Sequence, residues 1–196
     1  MKKTILLSSI LLCNLAVASD ENTEYEVSQY ELSEAKYEVL DKAKQYAQSV
    51  ACMTTFDEDT EEQATSINNV YPVSYSKMFD DSKVAGTFLV LWGGDVGCAG
   101  GSGTYGYSLT EFQRISDSRP FTMSNSDLLM DLYEISEINT RFIQDISYNN
   151  RTNTLELVSF EFAPKDGNCC PSLKYRYNFK NSEYGDWKLS EKVRLN

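Results

Sequence analysis

Residues 93–107 read Gly-Gly-Asp-Val-Gly-Cys-Ala-Gly-Gly-Ser-Gly-Thr-Tyr-Gly-Tyr, and the rest of the chain is interpreted from this segment. It contains seven of the ten glycines and one cysteine, Cys98. Because glycine adopts positive φ and lets another backbone approach closely, such a run predicts tight turns. An apolar run, Phe88–Trp92, precedes it and a strand-like run follows it. We therefore expect a hairpin of two strands, 84–92 and 104–115, with the glycine-rich segment as its long tip.

The first residues predict export. Lys2 and Lys3 form a short positive head, an apolar stretch follows at 4–15, and Ala16-Val17-Ala18 is a small-x-small cleavage site. The apolar stretch is too short to span a bilayer. We predict a bacterial signal peptide over residues 1–18, cleaved after Ala18, and a periplasmic or secreted mature protein.

Two other interpretations of the N-terminus stay open. The apolar stretch could remain uncleaved as an anchor, or the protein could be a lipoprotein attached through Cys13. Lipid attachment normally requires a small residue before the cysteine, whereas Leu12 is large. No later segment has eighteen consecutive apolar residues, so we expect no stable membrane insertion after signal cleavage.

The chain is acidic, with 18 basic and 29 acidic residues and a net charge of −11. Loss of the signal peptide removes two lysines and no acid, which changes the net charge to −13. A surface of this sign repels nucleic acid and anionic lipid head groups, so we expect no nucleic-acid partner. It suits a basic protein partner or a cation, or it serves solubility alone.

Four cysteines remain after cleavage: Cys52, Cys98, Cys169 and Cys170. An even number in an oxidising compartment predicts two disulfides. A bond between the neighbours Cys169 and Cys170 would close a strained eight-membered ring. We therefore expect Cys98 to pair with one of them and Cys52 with the other. Each bond would close a loop of roughly 70 to 120 residues and stabilise the fold by about 4 kcal/mol.

Residues 19–27 are acidic and polar and predict a flexible arm. Ser28 and Glu31 then have the spacing of a helix capping box. Apolar residues recur every three or four positions from there, which predicts an amphipathic helix of about 20 residues ending near Cys52. The members of this apolar stripe are Leu32, Ala35, Val39, Ala43, Tyr46, Ala47 and Val50.

The remaining patterns are mostly those of strands. We expect a strand within 70–79, a short helix near 128–133, and a second hairpin whose arms are 140–148 and 154–162. Together with the helix, these elements predict one α+β domain over residues 28–196. In it, an N-terminal amphipathic helix packs on an antiparallel β-meander of about six or seven strands, stapled by disulfides.

The end of the chain alternates apolar and polar residues over 173–180 and 187–195, which predicts a hairpin with one buried and one wet face. The wet face is basic, which either protects a sheet edge or forms a docking face for an acidic partner. Its basic residues are Lys174, Arg176, Lys180, Lys188, Lys192 and Arg194.

Catalytic motifs are missing from the sequence. The chain has no histidine, which excludes Ser-His-Asp and Cys-His pairs and histidine-ligated zinc. Ser102 lies among glycines, but Thr104 stands where a nucleophile elbow requires glycine. The acidic run 57–62 lacks the glycine and the closing acid of a calcium loop and favours a solvated loop. We therefore expect no catalytic residue, no metal and no cofactor.

Candidate binding residues lie in and beside the glycine-rich segment. The thirteen tyrosines and two tryptophans of the chain could line a groove for a sugar or peptide, although such residues in strands also serve as half-buried core. The candidates are Trp92, Asp95, Ser102, Tyr105 and Tyr107.

Two segments carry a resemblance. The turn Asp166–Ser172, with its Cys-Cys-Pro-Ser sequence, is similar to turns in exported bacterial proteins, among them mycobacterial lipoproteins. The block 92–103, Trp-Gly-Gly-Asp-Val-Gly-Cys-Ala-Gly-Gly-Ser-Gly, resembles one in exported proteins of gammaproteobacteria. The resemblance implies an oxidising compartment and disulfides, and it carries no activity.

These observations favour a non-enzymatic exported envelope protein that acts by binding another protein. An inhibitor or immunity protein against a basic toxin or hydrolase is the concrete form, with 94–107 as the contact element. One alternative is an envelope module that binds a small ligand or glycan through tyrosines of the sheet. Another is a carboxylate-based hydrolase that uses Asp95 and a second acid.

Overall fold

The computed structural model describes residues 25–57, 64–101, 103–182 and 186–195. The predicted signal peptide, residues 19–24 of the predicted arm, most of the acidic run 57–62 and the candidate Ser102 lie outside the described residues. The helices and strands are α1 (Gln29–Val50), β1 (Ala51–Cys52), β2 (Val70–Ser76), β3 (Ala85–Val96), β4 (Tyr105–Arg114), β5 (Thr122–Asn125), α2 (Leu128–Ser136), β6 (Ile143–Asn149), β7 (Thr154–Glu161), β8 (Leu173–Asn181) and β9 (Trp187–Leu195), with short 3₁₀ turns at Ile67–Asn69 and Thr140–Phe142.

The helix α1 begins as its sequence predicts. The Ser28 hydroxyl accepts from the Glu31 amide, and the Ser28 amide donates to the Glu31 carboxylate at 2.9 Å, which completes the capping box. The helix is 22 residues long, and five members of the predicted stripe are buried. Three of these five are alanines, which lets the helix lie close to the sheet. Leu32, Ala35, Val39 and Ala43 form a core cluster with residues of the sheet that include Phe88, Val90 and Phe112.

The five-stranded antiparallel sheet is built on β3. Its neighbours are β4 on one side and both β2 and β1 on the other, in the order β1-β3-β4-β5 with β2 also paired to β3. Residues 88–95 are all buried, which confirms the central position that the apolar run predicts. The predicted hairpin of β3 and β4 is also confirmed, with Leu91 opposite Leu109.

One glycine of this sheet has no substitute. Gly86 has φ of 146°, and a β-carbon placed there would lie 2.1 Å from the Ser74 carbonyl oxygen of β2. The β2–β3 pairing shifts register between Pro72 and Ser74, so the bulged strand approaches β3 closely at this point.

The second sheet is a four-stranded antiparallel meander in the order β6-β7-β8-β9. The main core lies between the two sheets and includes the inner face of α2. Its members include Leu89, Leu91 and Leu109 of the first sheet, Leu129 and Leu132 of α2, and Leu155, Leu157, Tyr177 and Phe179 of the second sheet.

The expected single meander of six or seven strands is wrong in two respects. The described residues contain nine strands, and these form two sheets. The sequence pattern missed the short strands β1 and β5. It also treated the connection through α2 as part of one meander, whereas α2 packs in the core and leads from the first sheet to the second. Tyr25, in the predicted flexible arm, forms an antiparallel bridge with Lys77.

The expected cysteine pairing is also wrong. Cys52 pairs with Cys98, with their Cα atoms 5.1 Å apart, and Cys169 pairs with its neighbour Cys170. The reason lies in β1, where Cys52 stands opposite Asp95 and is therefore brought near Cys98. Disulfide bonding and antiparallel sheet structure are confirmed, whereas the expected link from the glycine-rich segment to the closing hairpin is not present.

The predicted basic face of the last hairpin is divided. The pairing of β8 with β9 shifts by one residue between Asn178 and Phe179. Because residues directly opposite each other share a face, Lys192 and Arg194 join the tyrosine face of the sheet, opposite Tyr177 and Tyr175. The Lys192 ammonium lies 4.8 Å from the ring centre of Tyr177 and 5.0 Å from that of Tyr175.

Candidate functional site

A groove of about 650 Å³ opens between the first sheet and the wall formed by the Thr140–Phe142 turn, β6 and β7. We call it the tyrosine groove. It brings together two of the predicted binding residues and several that the sequence did not single out. Its main lining residues are Tyr105, Tyr107, Arg141, Phe142, Gln144 and Phe160.

The strand β4 places both predicted tyrosines on the same side. Tyr105 and Tyr107 are two residues apart, so they share a face of the strand, and their ring centres are 6.3 Å apart in an edge-to-face arrangement. Tyr107 lies opposite Gly93 and Tyr105 lies opposite Asp95. The groove therefore borders the place where the glycine-rich segment continues β3.

Position 93 requires glycine because the Tyr105 side chain lies close to its backbone, and not because the chain turns there. The Tyr105 hydroxyl lies 2.6 Å from the point that a β-carbon at position 93 would occupy. The Gly93 amide donates to the Thr55 hydroxyl at 2.9 Å, which fixes this part of β3. A side chain at position 93 would displace the tyrosine ring from the groove.

Both tyrosine hydroxyls remain protonated at neutral pH. Burial, together with the negative charges that Tyr107 and Asp57 carry when ionised, raises the pKa of Tyr105 to about 12. Burial also raises the pKa of Tyr107. Each group can therefore donate and accept a hydrogen bond toward a ligand.

The opposite wall combines aromatic rings with planar polar groups. The Asn139 side chain accepts from the Arg141 amide at 3.2 Å and starts the 3₁₀ turn that carries Arg141 and Phe142. The Arg141 guanidinium lies 5.1 Å from the ring centre of Phe142, and Phe142 packs edge-to-face on Phe162 at 5.6 Å. The wall is thus organised by its own contacts.

Trp92, another predicted binding residue, lies elsewhere. It is 2% exposed and packs edge-to-face on Tyr46 of α1, with ring centres 6.1 Å apart. Its indole Nε1 donates to the Thr110 hydroxyl at 2.8 Å. Trp92 therefore belongs to the packing between helix and sheet, and the structure does not bring it to the groove.

Asp95 is a buried carboxylate that shapes the glycine-rich loop. It is 1% exposed, and its Oδ2 accepts from the Gly100 amide at 2.8 Å. Its Oδ1 has no hydrogen-bond partner among the described residues. The loop beyond it contains four residues with positive φ, namely Gly97, Cys98, Gly100 and Gly101. This position suits a residue that holds the loop, whereas a catalytic acid must reach its substrate.

Half of the groove could not be found from sequence motifs. Arg141, Phe142, Gln144 and Phe160 lie 34 to 53 positions after Tyr107, where the glycine-rich segment ends, and belong to no motif. One local signal was available, because Asn139 before Arg141 has the residue type of a helix N-cap. That signal predicts a turn but does not place it beside β4.

Comparison with known proteins returns no relative: no protein-family model matches the chain, and neither the curated proteins nor the solved structures include a match. The resemblance to exported bacterial proteins therefore stays a prediction. Within the described residues, no helix is long and apolar enough to cross a membrane. In the same ranges, no group of three or more Cys, Asp or Glu side chains could hold a metal ion.

Proposed function

We propose that this protein is an exported binding module that holds a small ligand, with a glycan as the favoured class, in the tyrosine groove. The observation that carries the proposal is the meeting of Tyr105, Tyr107, Phe142 and Phe160 around one cavity of about 650 Å³. That volume falls within the range of small-ligand sites, about 300–1,000 Å³. The disulfides are compatible with an extracytoplasmic location, as the predicted signal peptide requires.

The chemistry of the lining favours a sugar. Aromatic faces bind the C–H faces of sugar rings, and tyrosine combines such a face with a hydroxyl. Arg141 and Gln144 supply planar donors that suit adjacent hydroxyl groups of a ligand. Because the walls are held by contacts of their own, little ordering is needed on binding, which favours affinity.

The test is calorimetric titration with soluble cell-wall glycan fragments and with chitin oligosaccharides. The double variant Tyr105→Phe with Tyr107→Phe keeps both rings and removes both hydroxyls. We expect it to weaken binding by roughly tenfold, because each lost hydrogen bond is worth about 0.5–1.5 kcal/mol. The matched control is Tyr37→Phe on α1, where the side chain is 58% exposed and away from the groove. Equal affinity of the double variant and the control would contradict the proposal.

A second candidate function is protein binding through the glycine-rich loop. Residues 97–101 are all exposed, and a β-carbon added at Gly97, Gly100, Gly101 or Gly103 would meet no atom of the described residues within 4 Å. The disulfide between Cys52 and Cys98 fixes the base of this loop. A projecting loop on a rigid base suits the contact element of an inhibitor or immunity protein, for which the acidic chain favours a basic partner.

This candidate is tested by capture from periplasmic extract at low salt. Gly103→Arg adds a large cation at a position with free space, so we expect the fold to persist and a captured basic protein to be lost. Ser118→Arg, in an exposed turn, is the control of equal charge change. Retention of the same protein by Gly103→Arg would exclude the loop as the contact.

A further inference from the structure

The helix α2 exposes apolar side chains on the side that the core does not cover. Leu128, Leu129 and Leu132 are buried in the core between the sheets. On the outward side, Met130 and Ile135 are 55% and 46% exposed. The described residues leave the outer face of α2 without a covering element.

A groove of about 430 Å³ runs beside this face and ends on the second sheet. Its apolar lining residues, which we call the floor, are Leu128 and Ile135 of α2 and Trp187 at the start of β9. The Trp187 ring packs edge-to-face on Tyr148 with centres 6.2 Å apart, so its position is defined by the second sheet. We call this the α2 groove. It is separate from the tyrosine groove and shares no lining residue with it.

The charge around the α2 groove has one sign. The charged residues that line it are Glu111, Asp131, Glu134 and Asp186. Two of these carboxylates are oriented by neutral donors: the Ser124 hydroxyl donates to Glu111 at 2.6 Å, and the Asn125 amide donates to Asp131 at 2.7 Å. In the described part of the chain, no ion pair joins any of the four to a cation. These carboxylates can therefore pair with cations of a segment that binds in the α2 groove.

We propose that the α2 groove docks a basic amphipathic segment of another protein, with its apolar residues on the floor and its lysines or arginines at the acidic rim. An apolar floor inside a charged rim is the usual anatomy of such an interface. The sign of the rim selects the partner, because an acidic or neutral segment would leave the carboxylates facing like charge or an apolar surface. This inference is independent of the ligand proposed for the tyrosine groove.

The probe is a fluorescein-labelled amphipathic peptide of lysine, leucine and alanine, whose binding to the full mature chain is followed by fluorescence anisotropy. Two comparison peptides separate the contribution of charge from that of apolar contact. One carries glutamate in place of lysine, and the other is oligolysine without apolar residues. We expect saturable binding of the first peptide only. Equal binding of oligolysine, or binding of the glutamate peptide, would overturn the proposal.

Matched variants locate the site. Asp131→Asn with Glu134→Gln removes two rim charges, and we expect the affinity for the basic peptide to fall about fivefold. Glu26→Gln with Asp41→Asn removes the same charge at or beside α1, on the other face of the first sheet, and should leave the affinity unchanged. An equal loss in both double variants would mean that only the overall charge is sensed, and would overturn the proposal.

The apolar floor is tested in the same way. Ile135→Ser should lower the affinity for the basic peptide about threefold through lost apolar contact. Ile115→Ser, at an 83% exposed position outside the groove, should leave that affinity unchanged.

Two other occupants of the α2 groove would also overturn the proposal. One is a second copy of this chain, detected as a dimer by sedimentation that Ile135→Ser dissociates. The other is calcium, detected by competition with the peptide.

Discussion

The two faces of the first sheet are covered in different ways. On one face α1 packs against the sheet, and the contact includes two buried cations, Lys77 and Arg114, which bind the carboxylates of Glu31 and Glu38. On the other face the second sheet covers the leucines of β3 and β4 but leaves the tyrosine groove open. The helix face is therefore held by buried ion pairs as well as apolar contacts, whereas the other face is held by the main apolar core and leaves the tyrosine groove open.

Arg114 shows how the face of the first sheet that α1 covers depends on a buried ion pair. Its side chain is 2% exposed, its Nη1 donates to the Val84 carbonyl at 3.1 Å, and its guanidinium lies 4.0 Å from the ring centre of Phe121. A buried cation in such a place needs its carboxylate, because leaving it unpaired costs several kcal/mol. The groove face contains no comparable buried ion pair among the described residues.

The largest expected effect on the free energy of unfolding comes from removal of the disulfide between Cys52 and Cys98. Cys52 and Cys98 are separated by 46 positions, so replacing both by serine should lower the free energy of unfolding by about 4 kcal/mol on the chain-entropy model. The control is Cys169→Ser with Cys170→Ser. That bond joins sequence neighbours and closes almost no chain, so little change is expected. Urea unfolding under non-reducing conditions measures both.

Similar losses in the two cysteine double variants would contradict this difference. Such a result would mean that the loop between β7 and β8 depends on its bond for folding. The second sheet would then, like the first, depend on a disulfide of its own for stability.

The next largest effect is expected from Glu38→Ala on the helix face. It leaves the Arg114 guanidinium buried without its carboxylate, and we expect a loss of about 3 kcal/mol, reduced from the fully buried case because Glu38 is 37% exposed. Glu34→Ala, an exposed position one turn earlier on α1, should change stability by less than about 0.5 kcal/mol. Thermal unfolding checks the difference, and a loss below about 1 kcal/mol in Glu38→Ala would argue that water reaches Arg114.

A smaller effect is expected from pH. Hydrogen bonds from Lys77 and Ser28 lower the pKa of Glu31 from 4.5 to about 2. Because the folded pKa lies below the unfolded one, the ionised carboxylate contributes stability above about pH 4.5, and this contribution is lost as pH falls toward 2. In Glu31→Gln the slope of Tm against pH in this window should be shallower. Identical slopes in the two proteins would exclude Glu31 as a source of acid sensitivity.

The smallest effect on stability is expected in the tyrosine groove. Tyr105→Phe removes only a hydroxyl from a half-buried ring, so the free energy of unfolding should change by less than about 1 kcal/mol. Because burial raises the pKa of Tyr105 to about 12, this variant should lose one phenol from the late part of an ultraviolet titration. Loss of a phenol that titrates near pH 10 would instead mean that Tyr105 is solvated.

Local signals predicted local structure well. The capping box of Ser28 and Glu31 and the spacing of the apolar residues were sufficient to predict α1, since both depend only on near neighbours. The hairpin of β3 and β4 was predicted for the same reason. The conformation of the glycine-rich segment was harder to predict, because glycine occurs both in turns and where other atoms approach the backbone closely. Gly93 proved to lie within β3, beneath a tyrosine ring.

Non-local features were out of reach of the sequence. The cysteine pairing follows from β1, which has two residues and no pattern of its own. The tyrosine groove needs Arg141 and Phe160 opposite β4, and their positions depend on how the two sheets pack. Tyr105 and Tyr107 were predicted because alternation in one strand already places them side by side.

The extra residue in β9 determines where positive charge is located on the last hairpin. The Ser190 hydroxyl donates to the Asn178 carbonyl at 2.8 Å, at the point where the two strands change register. Regular alternation through Ser190 would instead place Lys192 and Arg194 on the opposite surface and turn Val193 and Leu195 toward the tyrosines. A single bulged residue thus exchanges the polarity of half a hairpin, while the order of the amino acids alone would assign its two surfaces the other way round.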